Sequence, residues 1–146
     1  MKLFVFGTLM SGFSANALLG EDAEMLAGDV VIKNHMMFDL CFPGLFRVDK
    51  PDAMVLGEVW NVPEANIPRV DQYEGTPRLF KREQMLLEDM GPVIKAMFDR
   101  DPEPIWMYNY QWRNGVDIVK IFRAQIPLVT TAPGKPASFR LYRNKE

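Results

Sequence analysis

Apolar positions along this chain come in short runs that glycine and proline repeatedly interrupt, a pattern of strands and turns rather than long helices. Lys2 to Phe6 (KLFVF) reads as a buried strand that stops at Gly7, and Gly7-Thr8-Leu9-Met10-Ser11-Gly12 follows as a loop. Ser14 to about Leu19 reads as one or two helical turns with Ser14 as N-cap. Met25 to Phe42 is mostly apolar, broken at Gly28, and reads as one long or two short strands. Phe42-Pro43-Gly44-Leu45-Phe46 reads as a turn carrying aromatics. Met54 to Val62 alternates as a strand, and Glu64 to Tyr73 holds a short helix. Pro68 suits only the first turn of that helix, which places the N-cap at Asn66 and the end at Gly75.

Further along, Leu79 to Glu88 and Val93 to Asp99 read as a strand pair turned at Asp89-Met90-Gly91-Pro92. Ile105 to Trp112 and Asp117 to Ile126 read as a hairpin around Asn114-Gly115, ahead of a Pro- and Gly-bearing tail from Thr130. Trp106, Tyr108, Tyr110 and Trp112 alternate along one strand face, which reads as barrel packing or a sheet face, with a binding or dimerisation surface as the alternative. Many strands with one or two short helices give an α+β class: a small mixed, mostly antiparallel β-barrel.

Composition narrows the function. A chain of 146 residues with 48% hydrophobic and 25% charged residues suits one domain, 1–146. Seventeen basic against 19 acidic residues leave a net charge of −2, with no electrostatic case for nucleic acid. One cysteine and one histidine exclude a Cys/His zinc cage. Cys41, between Leu40 and Phe42, reads as a small buried hydrophobe, and His35 as a surface or strand histidine without a triad partner. No apolar run approaches the ~18 residues of a membrane span. A cytoplasmic location without a membrane partner is therefore expected, while the oligomeric state stays open.

Two segments carry candidate chemistry. Phe6-Gly7-Thr8-Leu9 is a strand end running into a glycine loop, where backbone N–H groups can face a cavity and hold a carboxylate or a developing oxyanion. Val70-Asp71-Gln72-Tyr73-Glu74-Gly75-Thr76-Pro77, followed by Phe80 and Arg82, puts Asp71 and Glu74 one turn apart at a helix C-terminus. The helix dipole disfavours negative charge there by roughly 0.3–1 kcal/mol, so a glutamate in that place needs solvent or a purpose. Asp71 reads as a structural acceptor near the loop after Gly75. Glu58 and Arg82, on strands among apolar neighbours, read as an internal ion pair, with Arg82 alternatively free to fork onto a substrate carboxylate.

Together these segments resemble the gamma-glutamylcyclotransferase-like family, which includes AIG2-like and gamma-glutamylamine cyclotransferase proteins. Phe6-Gly7-Thr8-Leu9 matches its opening loop; Asp71, Tyr73, Glu74, Gly75, Pro77, Phe80 and Arg82 match its acidic stretch. Phe42-Pro43-Gly44 and Gly57-Glu58-Val59-Trp60 match two segments between them, in order. The motifs cover about residues 1–99, leaving 100–146 as a C-terminal extension.

The resemblance implies a compact mixed barrel with a cavity, a small gamma-glutamyl substrate, and release of 5-oxoproline without metal, thiol or nucleotide cofactor. It places Glu74 as general acid/base, and Phe6, Gly7, Thr8, Leu9 and Arg82 around the substrate. The sequence departs from the family's pattern where Phe6 and Phe80 replace tyrosines, and where Phe98 falls at a strand-end tyrosine; Tyr108 or Tyr110 could supply a hydroxyl instead. A non-catalytic module that binds a small ligand or a protein on the same fold, and a hydrolase of gamma-linked amides, are the alternatives.

Overall fold

The computed structural model describes residues 1–39 and 43–111, with the side chains of 38, 39 and 43 left aside. Its strands are β1 (Lys2–Val5), β2 (Glu24–Lys33), β3 (His35–Asp39), β4 (Pro43–Arg47), β5 (Met54–Asn61), β6 (Phe80–Gln84) and β7 (Ile105–Tyr110). Two helices, α1 (Ile67–Glu74) and α2 (Pro92–Arg100), join them. Five strands form one sheet in the order β2-β5-β1-β7-β6, and β3 and β4 form a second, two-stranded one.

All neighbours in the larger sheet run antiparallel except β1 and β7, which pair in parallel through Lys2↔Ile105 and Leu3↔Trp106. This is the expected α+β class with a mostly antiparallel sheet. The described strands curve around a core but do not close on themselves, since β2 and β6 remain as edges.

β1 sits at the centre because its KLFV run can be buried on both faces. Leu3, Phe4 and Val5 are fully enclosed, and β5 beside them keeps Val55, Leu56, Val59 and Glu58 out of water. Burial of such side chains contributes about 1.5–3 kcal/mol each relative to exposure.

α1 forms where its caps demand. Asn66 is the N-cap, Pro68 lies in the first turn, and Gly75 closes the helix in the left-handed conformation at φ 66°. The Gly75 N–H returns to the carbonyls of Asp71 and Gln72, satisfying acceptors that the helix leaves open. The Asn66 amide does not cap its own helix; it donates to the Leu19 carbonyl at 2.8 Å and so ties α1 to the 3-10 turns at Ser14–Leu19.

Several expected elements are corrected. Ser14 does not cap its turns: Phe13 occupies that place, with no side-chain cap bond. The apolar run from 25 divides at Asn34, whose φ of 61° turns the chain, whereas Gly28 lies inside β2 beside its register shifts against β5. Residues 43–46 are strand rather than turn, because Gly44, Leu45 and Phe46 pair with Phe38, Met37 and Met36.

Residues 93–99 are helical, in α2. Pro92 supplies a preset φ at its start, and Ile94, Met97 and Phe98 recur at helical spacing on the side that packs against the core. Phe98 therefore lies on a helix, not at a strand end, and β6 pairs with β7 instead of with residues 93–99. Cys41, Trp112, the hairpin around Asn114-Gly115 and the tail fall outside the described residues. His35 lies in β3 and is fully buried; its Nδ1 bonds the Lys33 carbonyl at 2.7 Å, while Nε2 has no partner among the described residues.

Candidate active site

The end of β1 and the end of α1 meet across a hollow. After β1 the chain enters a 3-10 turn at Gly7–Leu9, where Gly7 adopts φ 61°, a conformation glycine takes without strain. The opening N–H groups of such a turn, here those of Gly7 and Thr8, have no acceptor inside it. The turn is held from below: the Asn16 amide donates to the Leu9 carbonyl at 2.7 Å, and the Leu9 side chain is sunk in the core. Beyond it, the Glu58 carboxylate accepts from the Ser11 N–H at 2.7 Å, the Ser11 hydroxyl at 2.5 Å and Trp60 Nε1 at 3.1 Å. The expected Glu58–Arg82 pair does not form, because Glu58 spends its acceptors fastening this loop to β5.

A cavity of about 220 Å³ opens between the loop and α1, lined by Phe6, Gly7, Thr8, Tyr73, Glu74, Leu79 and Phe80. Of the residues expected at the site, Phe6, Gly7, Thr8 and Glu74 converge here; Leu9 and Arg82 are not among the lining residues. Phe6 and Phe80 stand 6.3 Å apart between ring centres, and Tyr110 meets Phe80 edge-on at 5.7 Å, so the inner wall is aromatic and apolar.

Glu74 is only 9% exposed, and no hydrogen bond to its carboxylate occurs among the described residues. Burial pushes its carboxyl up to about 7, since the charged form loses hydration without gaining a partner. A carboxylate with that affinity for protons exchanges them readily in both directions near neutral pH.

Beside Leu79 and Phe80, Tyr73 lines the cavity without having been expected there. It is 47% exposed, and its hydroxyl lies 2.7 Å from Thr8 Oγ1, a bond that bridges the helix and the loop at the cavity mouth. The available signal was its place beside Glu74 at a helix end; the direction of its ring depends on how α1 docks, which spacing does not specify.

Asp71 and Arg82 also find partners. Arg82 Nη1 is 2.8 Å from both oxygens of Asp71, and the Tyr108 hydroxyl donates to Asp71 Oδ1 at 2.6 Å. The Arg82 guanidinium lies 5.9 Å from the centre of the Trp106 ring. Burial, reinforced by the Asp71 carboxylate, holds the Tyr108 hydroxyl far above its ordinary range, so it remains a proton donor. Tyr108 thus supplies its hydroxyl to Asp71 rather than to the cavity. The Asp71 side chain engages β6 and β7 rather than the loop after Gly75, which reaches only its backbone carbonyl, at Thr76 N–H, 3.0 Å. No group of three or more His, Cys, Asp or Glu side chains arranged for a metal occurs among the described residues.

Comparison with known proteins bears on the family and the fold. The family model described as gamma-glutamyl cyclotransferase, AIG2-like, matches residues 3–123, beyond the stretch where the motifs are legible. A protein of Methanocaldococcus jannaschii named "putative gamma-glutamylcyclotransferase" is 25% identical over 115 residues, 78% of this chain and 88% of the relative. Two solved structures share the fold. An AIG2-like protein from Mus musculus has a TM-score of 0.55 at 18% identity, covering 77% of this chain and 79% of its own. The protein ytfP from Escherichia coli has a TM-score of 0.54 at 24% identity, covering 77% of this chain and 85% of its own.

Proposed function

The chain belongs to the gamma-glutamyl cyclotransferase, AIG2-like family, and on that premise we propose that it is an enzyme converting a gamma-glutamyl amide to 5-oxoproline, with release of the amine. The observation that carries this reading is a buried, unpartnered carboxylate, Glu74, in the same small cavity as the backbone of Gly7 and Thr8.

The substrate brings its own nucleophile. Its α-nitrogen attacks the γ-carbonyl carbon, closing a five-membered ring, and the bond from that carbon to the leaving nitrogen breaks. Nucleophile and electrophile are already in one molecule, so the entropic cost of bringing them together is small. What the protein must supply is proton transfer. An α-ammonium gives up two protons on the way to a ring amide, and the departing amine gains two. Glu74, with its carboxyl near 7, takes each proton from one nitrogen and delivers it to the other.

The tetrahedral oxygen, or the substrate's own carboxylate, rests against the N–H groups of the Gly7-Thr8-Leu9 turn, and Phe6 packs beside it. Arg82 contributes through the Asp71 pair rather than by contact with substrate. No step calls on a metal, a thiol or a nucleotide, and the only partner required is the small gamma-glutamyl molecule.

The test is to incubate wild type and Glu74→Gln with gamma-glutamyl amines, gamma-glutamyl amino acids and glutathione, and to measure 5-oxoproline. Turnover by wild type, reduced about 10²-fold or more in the variant, supports the reading. Equal turnover by both removes Glu74 from the mechanism. Free glutamate in place of the cyclic product would mark a hydrolase, and saturable binding with no product a binding module.

A further inference from the structure

Three elements approach the cavity in matched pairs. α1 contributes Glu74 to the cavity and Asp71 one turn earlier. β6 contributes Phe80 to the cavity wall and Arg82 two residues on, which returns to the same face of the strand. β7 contributes Tyr110 against Phe80 and Tyr108 against Asp71, again two residues apart. The result is two layers: an aromatic one walling the cavity, and beneath it a charged one made of Asp71, Arg82 and Tyr108.

We propose that the Asp71–Arg82–Tyr108 layer positions the proton-carrying Glu74 and keeps the neighbouring Asp71 charge neutralised, thereby setting the pH range over which Glu74 exchanges protons. This rests on the reading of Glu74 as the general acid/base. Both oxygens of Asp71 lie 2.8 Å from Arg82 and one also accepts from Tyr108, so the final turn of α1 is pinned to β6 and β7 at a single side chain. Charge-assisted hydrogen bonds of this kind hold geometry better than neutral ones.

The electrostatic role follows from spacing. Asp71 and Glu74 share a helix face, and two carboxylates that close raise one another's proton affinity unless a cation intervenes. Arg82 is that cation. Of the residues that line the cavity with Glu74, Tyr73 alone carries a further ionisable side chain; Asp71 lies one turn back on α1, and Arg82 of β6 and Tyr108 of β7 reach Glu74 only by way of Asp71.

The two halves of the pair therefore act in opposite directions. Arg82→Gln leaves Asp71 negative beside Glu74 and moves the midpoint of the pH–rate profile upward. Asp71→Asn leaves Arg82 positive and moves it downward. Each shift is expected to be about half a pH unit. Tyr108→Phe removes a hydrogen bond but no charge, and lowers kcat with little movement of the midpoint.

The experiment follows turnover against pH for wild type, Asp71→Asn, Arg82→Gln, Arg82→Lys and Tyr108→Phe, and in parallel titrates the Glu74 side-chain carboxyl by carbon-detected NMR. Opposed shifts in the Asn and Gln variants, with Arg82→Lys restoring the wild-type midpoint, support the proposal. Unchanged Glu74 midpoints in folded Asp71→Asn and Arg82→Gln overturn it, even where kcat falls, because a merely structural clamp would lower kcat without moving them. The NMR arm needs no substrate, so its failure is distinguishable from failure of the proposed cyclisation. If Arg82→Gln does not fold, the shift in Asp71→Asn and its absence in Tyr108→Phe decide the question.

Discussion

At the scale of single residues, Glu74 is where stability and the proposed chemistry conflict. Its carboxyl, raised from 4.5 to about 7, binds a proton in the folded chain over a range where the unfolded chain has released it. Folding stability from this group is thus fully present below about 4.5 and is lost as pH rises through about 7. Above that, the ionised carboxylate costs about 3 kcal/mol. Glu74→Gln is accordingly expected to be more stable than wild type at pH 8 by up to about 3 kcal/mol and equal to it near pH 4, as denaturant titrations at the two pH values will read. On the proposed mechanism the same substitution is expected to cut turnover about 10²-fold or more. Tyr73 makes a smaller case. Tyr73→Phe removes the bond to Thr8, worth about 1 kcal/mol, and should raise KM about threefold to tenfold while largely preserving kcat, as steady-state kinetics will measure.

Among the elements, α1 was legible in the sequence because its signals are local. Pro68 in the first turn and Gly75 at the left-handed end each have a conformational requirement that the observed helix meets. Gly75→Ala is expected to cost about 1–2 kcal/mol, since a side chain disfavours the left-handed conformation. A Cβ there would also come within 3.1 Å of the Leu79 Cβ. Thermal unfolding measures the cost, and because Gly75 follows Glu74, turnover should fall with it.

α2 and β4 were read wrongly for the opposite reason. Gly91-Pro92 and Pro43-Gly44 look like turn dipeptides, yet the first opens a helix and the second enters a strand, because packing against the core and pairing with β3 decide them. The candidate site divides in the same way. The short motifs contained Phe6, Gly7, Thr8 and Glu74, whereas the partners of Arg82 and Glu58 depend on how a helix and a loop dock on distant strands. Sequence spacing holds no record of that distance.

For the molecule as a whole, two buried ionisable groups with opposite tendencies shape the pH response. His35 is held below its usual 6.5, chiefly because burial disfavours its charged form. The unfolded chain takes up that proton first, so stability from His35 is present above about 6.5 and is lost as pH falls. Glu74 works in the other sense between about 4.5 and 7. The two oppose one another in weak acid, so the stability of wild type should vary less across that interval than Glu74 alone would make it. His35→Gln should unmask the Glu74 slope, with stability falling as pH rises from 5 to 7, which thermal midpoints across a pH series will reveal.

The place of β1 has a consequence for biosynthesis. Lys2 and Leu3 lie beside Ile105 and Trp106, so the innermost strand leaves the ribosome about a hundred residues ahead of one of its two neighbours. β5 can join it earlier, through Lys2↔Asn61 to Val5↔Glu58, giving a half-built sheet with one long apolar flank uncovered. Until β7 emerges and brings β6 against it, the Gly7 turn faces no aromatic wall and the clamp on Asp71 has neither Arg82 nor Tyr108 in place. A nascent chain arrested before residue 105 therefore holds Glu74 and the Gly7 turn but no enclosure around them, and it leaves an apolar flank of β1 uncovered instead.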